Sequence, residues 1–289
     1  MRWSPGGRSR NIEDRRGGGG GAGGMGGGGF RGGGMKLGVG GMLVLIVLSY
    51  VFKTDLVTPI TGGSGVGAPM PTAEQAPLND PAEERMVQFV SVVLDSAQAT
   101  WARQMSRYRP ARLVLFRDAT PTACGTGQSA SGPFYCPGDE KVYIDLSFFD
   151  QLHRQFGAPG DFAQAYVIAH EIGHHVQNVL GTEQQVRRLQ QENPRAKNAL
   201  SVAMELQADC YAGVWAHDAA RARMLEPGDL EEGLGAAAAV GDDRLQQMAG
   251  GRVQRESFTH GSSADRQQWF RRGFEQGDPG ACDTFAAMR

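Results

Sequence analysis

The strongest constraint on this chain is one apolar run with ionisable residues set into it at helical spacing. Residues 165–177 read Ala-Tyr-Val-Ile-Ala-His-Glu-Ile-Gly-His-His-Val-Gln. His170 and His174 lie one turn apart, so both imidazoles leave the same helix face. That spacing suits two nitrogen ligands of one tetrahedral Zn2+. Glu171 is rotated by about 100° from His170. It can reach a water beside the metal without binding the metal, as a general base must. Tyr166, Val167, Ile168 and Ala169 make the approach apolar, which carries the polar residues into a buried helix. Buried His and Glu need partners, and a metal supplies one. Gly173 costs about 1 kcal/mol inside a helix, so it predicts close approach by another element, such as the one bringing a third ligand. The helix is predicted over 162–180, capped by Asp161 and stopped by Gly181.

A zinc that does chemistry wants three protein ligands and one open position. Gln177 and Leu180 stand where the metzincin pattern has Gly and His, which excludes that class. The next candidate lies in 204–213, where Glu205 and Asp209 share a helix face at i, i+4. Glu205 reads as the third ligand. Asp209, one turn on, reads as the acceptor for the free ring N–H of a ligating histidine. A solvated acidic face is the alternative, but the neighbours are Ala, Leu, Met and Tyr rather than further charges.

HExxH followed by Glu-x-x-x-Asp on a later helix resembles the gluzincin metallopeptidases. The longer pattern is similar to a bacterial neutral zinc metallopeptidase family: Gly132 to Pro137, Val142 to Phe149, His170 to Gln177, Glu205 to Cys210, Ser257 to Ser263, and Trp269 to Phe274 with Gly277-Asp278-Pro279. The resemblance covers nearly everything except the Gly-rich linkers. It implies an α+β, mainly helical zincin-like domain with a small β-sheet over 82–289. It also implies that residues 141–146 are an edge strand that hydrogen-bonds an extended peptide substrate. A plain interior strand is the other reading of that segment.

The remaining chain divides by composition. Of the 289 residues 42 are glycine, many of them before Gly34. Residues 1–34 therefore read as a disordered Gly/Arg-rich tail, with no apolar surface to offset the entropy of ordering. The tail carries a net charge of about +5 and the rest about −7, and the overall −2 gives no sign of a nucleic-acid partner. Residues 37–52 are uncharged and apolar, bracketed by Lys36 and Lys53. They predict a single-pass signal-anchor over 35–53, with the tail in the cytosol and the domain outside the bacterial inner membrane; a cleaved signal peptide is the competitor. Residues 54–81 read as a flexible tether.

In the domain, a helix from Pro81, capped by Asp80, presents Val87, Val90, Leu94, Ala97 and Trp101 on one face. Residues 113–116, 134–135 and 141–146 read as strands, the last two joined by a turn at Pro137-Gly138-Asp139. Further helices are predicted over 183–191, 201–224, 230–248 and 265–276. Cys124 and Cys136 bracket a Gly/Ser-rich loop that a disulfide would staple, with Cys210 and Cys282 as the other pair; four cysteines allow three pairings. An even count fits an oxidising compartment.

His153, His175 and His217 read as ordinary core or surface residues. His260, in a loop before the last helix, is a candidate donor to the oxyanion of a tetrahedral intermediate; Tyr143, Tyr166 and Tyr211 are weaker candidates. The expectation is a membrane-anchored zinc peptidase acting on peptides or proteins. Zn2+ is held by His170, His174 and Glu205, Glu171 is the base, and Asp209 orients a ligand. The alternatives are a zinc-stabilised surface binding module that hydrolyses nothing, and an amidase on cell-wall peptide.

Overall fold

The computed structural model describes residues 1–17 and 80–286. The fold is α+β, as expected, with a small sheet against a larger helical body. Helix α1 (Pro81–Gln104) is capped as its sequence predicts: Asp80 accepts from the Ala82 amide at 2.9 Å. Val87, Val90, Leu94, Ala97 and Trp101 are all fully buried.

The main sheet runs β1 (Ile12–Asp14), β2 (Arg112–Phe116), β6 (Lys141–Asp145), β5 (Phe134–Cys136). β1, β2 and β6 are parallel, and β5 returns antiparallel through the 137–139 turn. Leu113, Leu115, Val142 and Ile144 face the main core, while Val114, Phe116 and Tyr143 pack on the other side. Burial on both faces is why β2 reads as a continuous apolar run. Lys141–Asp145 is thus an interior strand. The substrate-binding edge that the resemblance assigned to it is corrected, because both its sides are paired. Among the described residues the edge strands of this sheet are β1 and β5. A hairpin of β3 (Ala119–Thr122) and β4 (Gly125–Gln128) leads into the Gly/Ser-rich loop, and Cys124–Cys136 ties its turn to β5.

Six more helices plus α1 and a short α2 (Ser147–Arg154) complete the domain's helical part among the described residues. These six are α3 (Asp161–Leu180), α4 (Thr182–Glu192), α5 (Lys197–Arg221), α6 (Asp229–Ala239), α7 (Asp242–Met248) and α8 (Ser263–Gln276). The single helix expected over 230–248 is two. The chain turns at Gly241, where a Cβ would stand 2.5 Å from the Ser263 amide nitrogen. α5 and α8 touch backbone to backbone: a Cβ on Gly273 would lie 1.9 Å from the Cys210 carbonyl oxygen, and one on Gly213 2.1 Å from that of Phe270. The Cys210–Cys282 disulfide ties the chain beyond α8 back to α5.

The expectation of a disordered tail from residue 1 is corrected for residues 1–17. Strand β1 pairs Ile12 with Leu113, Glu13 with Val114 and Asp14 with Leu115, extending the domain's own sheet. Trp3 packs edge-on against Phe89, with ring centroids 5.4 Å apart. The Met1 ammonium meets Asp161 at 2.8 Å and Asp229 at 3.3 Å. Asp161 is therefore not the cap of α3: Gly160 precedes the helix, and Glu232 accepts from the Phe162 amide at 3.2 Å. Since β1 and β2 share one ladder, residues 1–17 and the domain lie on one side of any bilayer, which corrects the arrangement of a cytosolic tail and an external domain. No helix among the described residues is long and apolar enough to cross a membrane. The expected anchor over 35–53, the tether up to residue 79, and residues 18–34 lie outside the described residues.

Candidate metal centre

Three ligand-type side chains expected to converge do so. α3 carries His170, Glu171 and His174, and α5 brings Glu205 across. Gly173 allows this, since a Cβ there would sit 2.9 Å from the Ala208 carbonyl oxygen. The glycine predicted to mark a close crossing marks the crossing of the helix that carries Glu205. His170 Nε2 is 3.2 Å from Glu205 Oε2, and His174 Nε2 is 3.6 Å from Glu205 Oε1. The three donors lie within 4.8 Å of one another. Two imidazole nitrogens and a carboxylate at this spacing fit a tetrahedral zinc, whose ligands at about 2.1 Å from the ion stand about 3.4 Å apart.

The electrostatics follow from burial and neighbours. Burial opposes charge on Glu205, but the imidazoles of His174 and His170 outweigh it and hold the carboxyl well below its usual range. Burial likewise opposes charge on His170, yet Asp209 and Glu205 raise its pKa to about 9. Glu171 is buried and lines the cleft; burial pushes its carboxyl up, towards the range a proton shuttle needs.

Each imidazole is held from behind. His170 Nδ1 meets Asp209 Oδ1 at 2.8 Å, as the i, i+4 spacing of Glu205 and Asp209 predicts. His174 Nδ1 donates to Gln177 Oε1 at 2.8 Å, and Gln177 in turn donates to the Met204 carbonyl at 2.7 Å and to Gln207 at 3.1 Å. The sequence reading used Gln177 only to exclude a metal-ligand pattern and missed this bond. Its i, i+3 spacing from His174 was the available signal. Arg266 and Tyr166 were also missed in this network: Arg266 forks onto Asp209 at 2.8 and 2.9 Å, and the Tyr166 hydroxyl donates to the same carboxylate.

His260 borders the cleft. Its Nδ1 lies 3.1 Å from Asp242 Oδ1, while Asp242 Oδ2 takes the amides of Thr259, His260 and Gly261. Its Nε2 is not used by those bonds. Of the weaker tyrosine candidates, Tyr143 is buried in β6 and donates to Asp139, Tyr166 is committed to Asp209, and the Tyr211 ring is buried against Trp101 and is not among the residues that line the cleft. His175 is structural, as expected. Its Nε2 donates to the Arg109 carbonyl at 2.6 Å, and its Nδ1 accepts from Tyr135 at 3.0 Å. His217 bonds the Phe274 carbonyl at 2.7 Å, and His153 is exposed.

The cleft has a volume of about 550 Å3. Its apolar lining includes Phe148, Phe156, Val167 and Leu245, and β5 contributes Phe134 and Tyr135.

Residues 1–285 match the family described as "Putative neutral zinc metallopeptidase". The YpfJ protein of Escherichia coli (strain K12) is 50% identical over 294 residues, covering 99% of each chain. The Rv2575 protein of Mycobacterium tuberculosis (strain ATCC 25618 / H37Rv) is 47% identical over 204 residues, covering 67% of this chain and 68% of that one. No solved structure matches. With the ligand-type residues converging on one cleft and the family pattern running over nearly all of its length, the chain belongs to the neutral zinc metallopeptidase family.

Proposed function

We propose that the chain is a zinc-dependent endopeptidase in which His170, His174 and Glu205 hold the metal and Glu171 is the general base. The observation that carries this reading is the convergence of those three donors beside a buried glutamate in an open cleft. A structural site would have no use for Glu171 at that place. When bound, zinc supplies Lewis acidity, polarising the scissile carbonyl and lowering the pKa of a water to about 7. Glu171 takes the proton from the attacking water and later delivers it to the leaving amine. His260, steadied by Asp242, directs its remaining ring nitrogen at the oxyanion that develops.

The substrate in this reading is an extended peptide. β5 is an edge strand of the main sheet, with no second partner among the described residues, and borders the cleft, so main-chain pairing can align a substrate there, with the apolar lining taking a large side chain. Two disulfides support action outside the cytosol. Any membrane association would come through residues 35–53.

The test is elemental analysis together with cleavage of a denatured protein. Wild type should carry zinc and cleave. Glu205→Ala should lose the metal. Glu171→Gln should keep it while kcat falls by roughly 10²–10⁴-fold. A Glu171→Gln variant as active as wild type would refute the assignment of the base.

A further inference from the structure

Asp209 is buried without any solvent exposure, and each contact it makes comes from a donor. Oδ1 takes the His170 Nδ1–H at 2.8 Å, Arg266 Nη2 at 2.9 Å and the Tyr166 hydroxyl; Oδ2 takes Arg266 Nε at 2.8 Å. A carboxylate so surrounded acts only as an acceptor. His170 must then keep its hydrogen on Nδ1 and turn Nε2 towards Glu205 and His174. Of the donors, Arg266 alone grips both carboxylate oxygens, and a planar fork fixes the carboxylate's plane as well as its position.

The register of α5 against α8 sets this grip. Arg266, Phe270 and Gly273 share a face of α8 at i, i+4, i+7, and Asp209 lies one turn before Gly213 on α5. The backbone contacts at Gly213 and Gly273 bring that pair of turns into opposition, so the guanidinium meets the carboxylate end to end. Arg266 is itself 3% exposed, and beyond Asp209 it reaches the Val240 carbonyl at 3.3 Å and Tyr166 at 3.2 Å, while its Nη2 stands 3.4 Å from His170 Nδ1 and 3.9 Å from Glu205 Oε2.

We propose that Arg266 is a positioning residue for the metal: through Asp209 it fixes the rotation of the His170 ring and the nitrogen that ring offers. The inference rests on the zinc reading above. Removing one member of a buried pair is strongly destabilising, so two substitutions are compared. Arg266→Lys keeps the charge and loses the fork; Arg266→Gln loses both. Zinc affinity is measured by competition with a chelator, on folded protein, beside the melting temperature of the metal-free chains. The expected order is wild type, then Lys, then Gln, with a total loss of about 10–100-fold. In an Asp209→Asn background, Arg266→Gln should cost much less than in the wild-type chain, since the path through Asp209 is already broken and only the longer approach of Arg266 to Glu205 remains. Unchanged zinc affinity in the folded variants, with only a lower melting temperature, would reduce Arg266 to a helix clamp and overturn the inference. Full additivity with Asp209→Asn would overturn it as well. A wild-type chain that bound no zinc would bring down the zinc reading first, and this inference with it.

Discussion

Charge is handled in opposite ways at the cleft and at the N-terminal segment. Around the cleft the charges are few, dry and interdependent. Asp209 is the hub for His170, Tyr166 and Arg266, and no partner can be removed without stranding another. Across residues 1–17 the pairs are several and redundant, and apart from those of the Met1 ammonium and Arg16 they are partly or well exposed. Arg8 spans Asp14 and Glu84 with 42% of its side chain exposed, and Glu13 serves both Arg15 and Lys141. Exposed pairs contribute little each. What seats this segment is the backbone: Leu113 donates to the Asn11 carbonyl, Arg15 to that of Leu115, and Arg2 to that of Met224. A short, charged stretch can thus be ordered when a folded domain presents an open strand edge to it.

The contrast can be broken most sharply by asking where the two regions sit. All four cysteines are in disulfides, so a thiol introduced at exposed Arg10 or exposed Gln191 is the one free thiol. In intact cells, a membrane-impermeant maleimide should give both positions the same all-or-none result. Labelling of one and protection of the other would refute the shared sheet. Next in size, deleting residues 1–17 should lower stability by at least about 3 kcal/mol, at roughly 1 kcal/mol net for each of those three backbone bonds. It should also bare the β2 edge to self-association. Urea unfolding and light scattering report both.

At the cleft, Gln177→Ala removes a neutral prop from His174 and should weaken zinc binding by about tenfold. Asp209→Ala, which removes a charged prop, should cost more; equal losses would erase the distinction between the two supports. The smallest effect belongs to Arg8→Ala, expected at under about 1 kcal/mol and vanishing in high salt. An effect as large as that of the strand deletion would mean that side-chain pairs, and not the ladder, seat the segment.

How much of this was legible beforehand depends on how far apart the partners are in the chain. The facing of His170 and His174 on α3, the Asp80 cap and the 137–139 turn follow from spacing within a few residues, and the structure keeps them. The pairing of Glu205 with Asp209 was readable because both lie on one helix, and Gly173 announced the crossing without naming its partner. Arg266 stands 57 residues from Asp209, in a helix whose other face is polar, and no local pattern sets it apart from its exposed neighbours Arg271 and Arg272. Asp161 shows a local rule overruled. As a helix-start residue it should cap, but the ammonium of a segment distant in sequence claims its carboxylate.

The sequence alone determined the chemistry on offer: two imidazoles one turn apart, a glutamate beside them, and a carboxylate pair on a second helix. Helical periodicity is local, and side chains one turn apart meet whatever the rest of the chain does. The tertiary structure decided which parts stand beside those groups: Arg266 behind Asp209, Gln177 behind His174, β5 rather than β6 at a sheet edge, and residues 1–17 paired into the domain's sheet. Those choices arise from helix crossings at glycine and from strand order, where contact is set by packing between segments far apart in the chain.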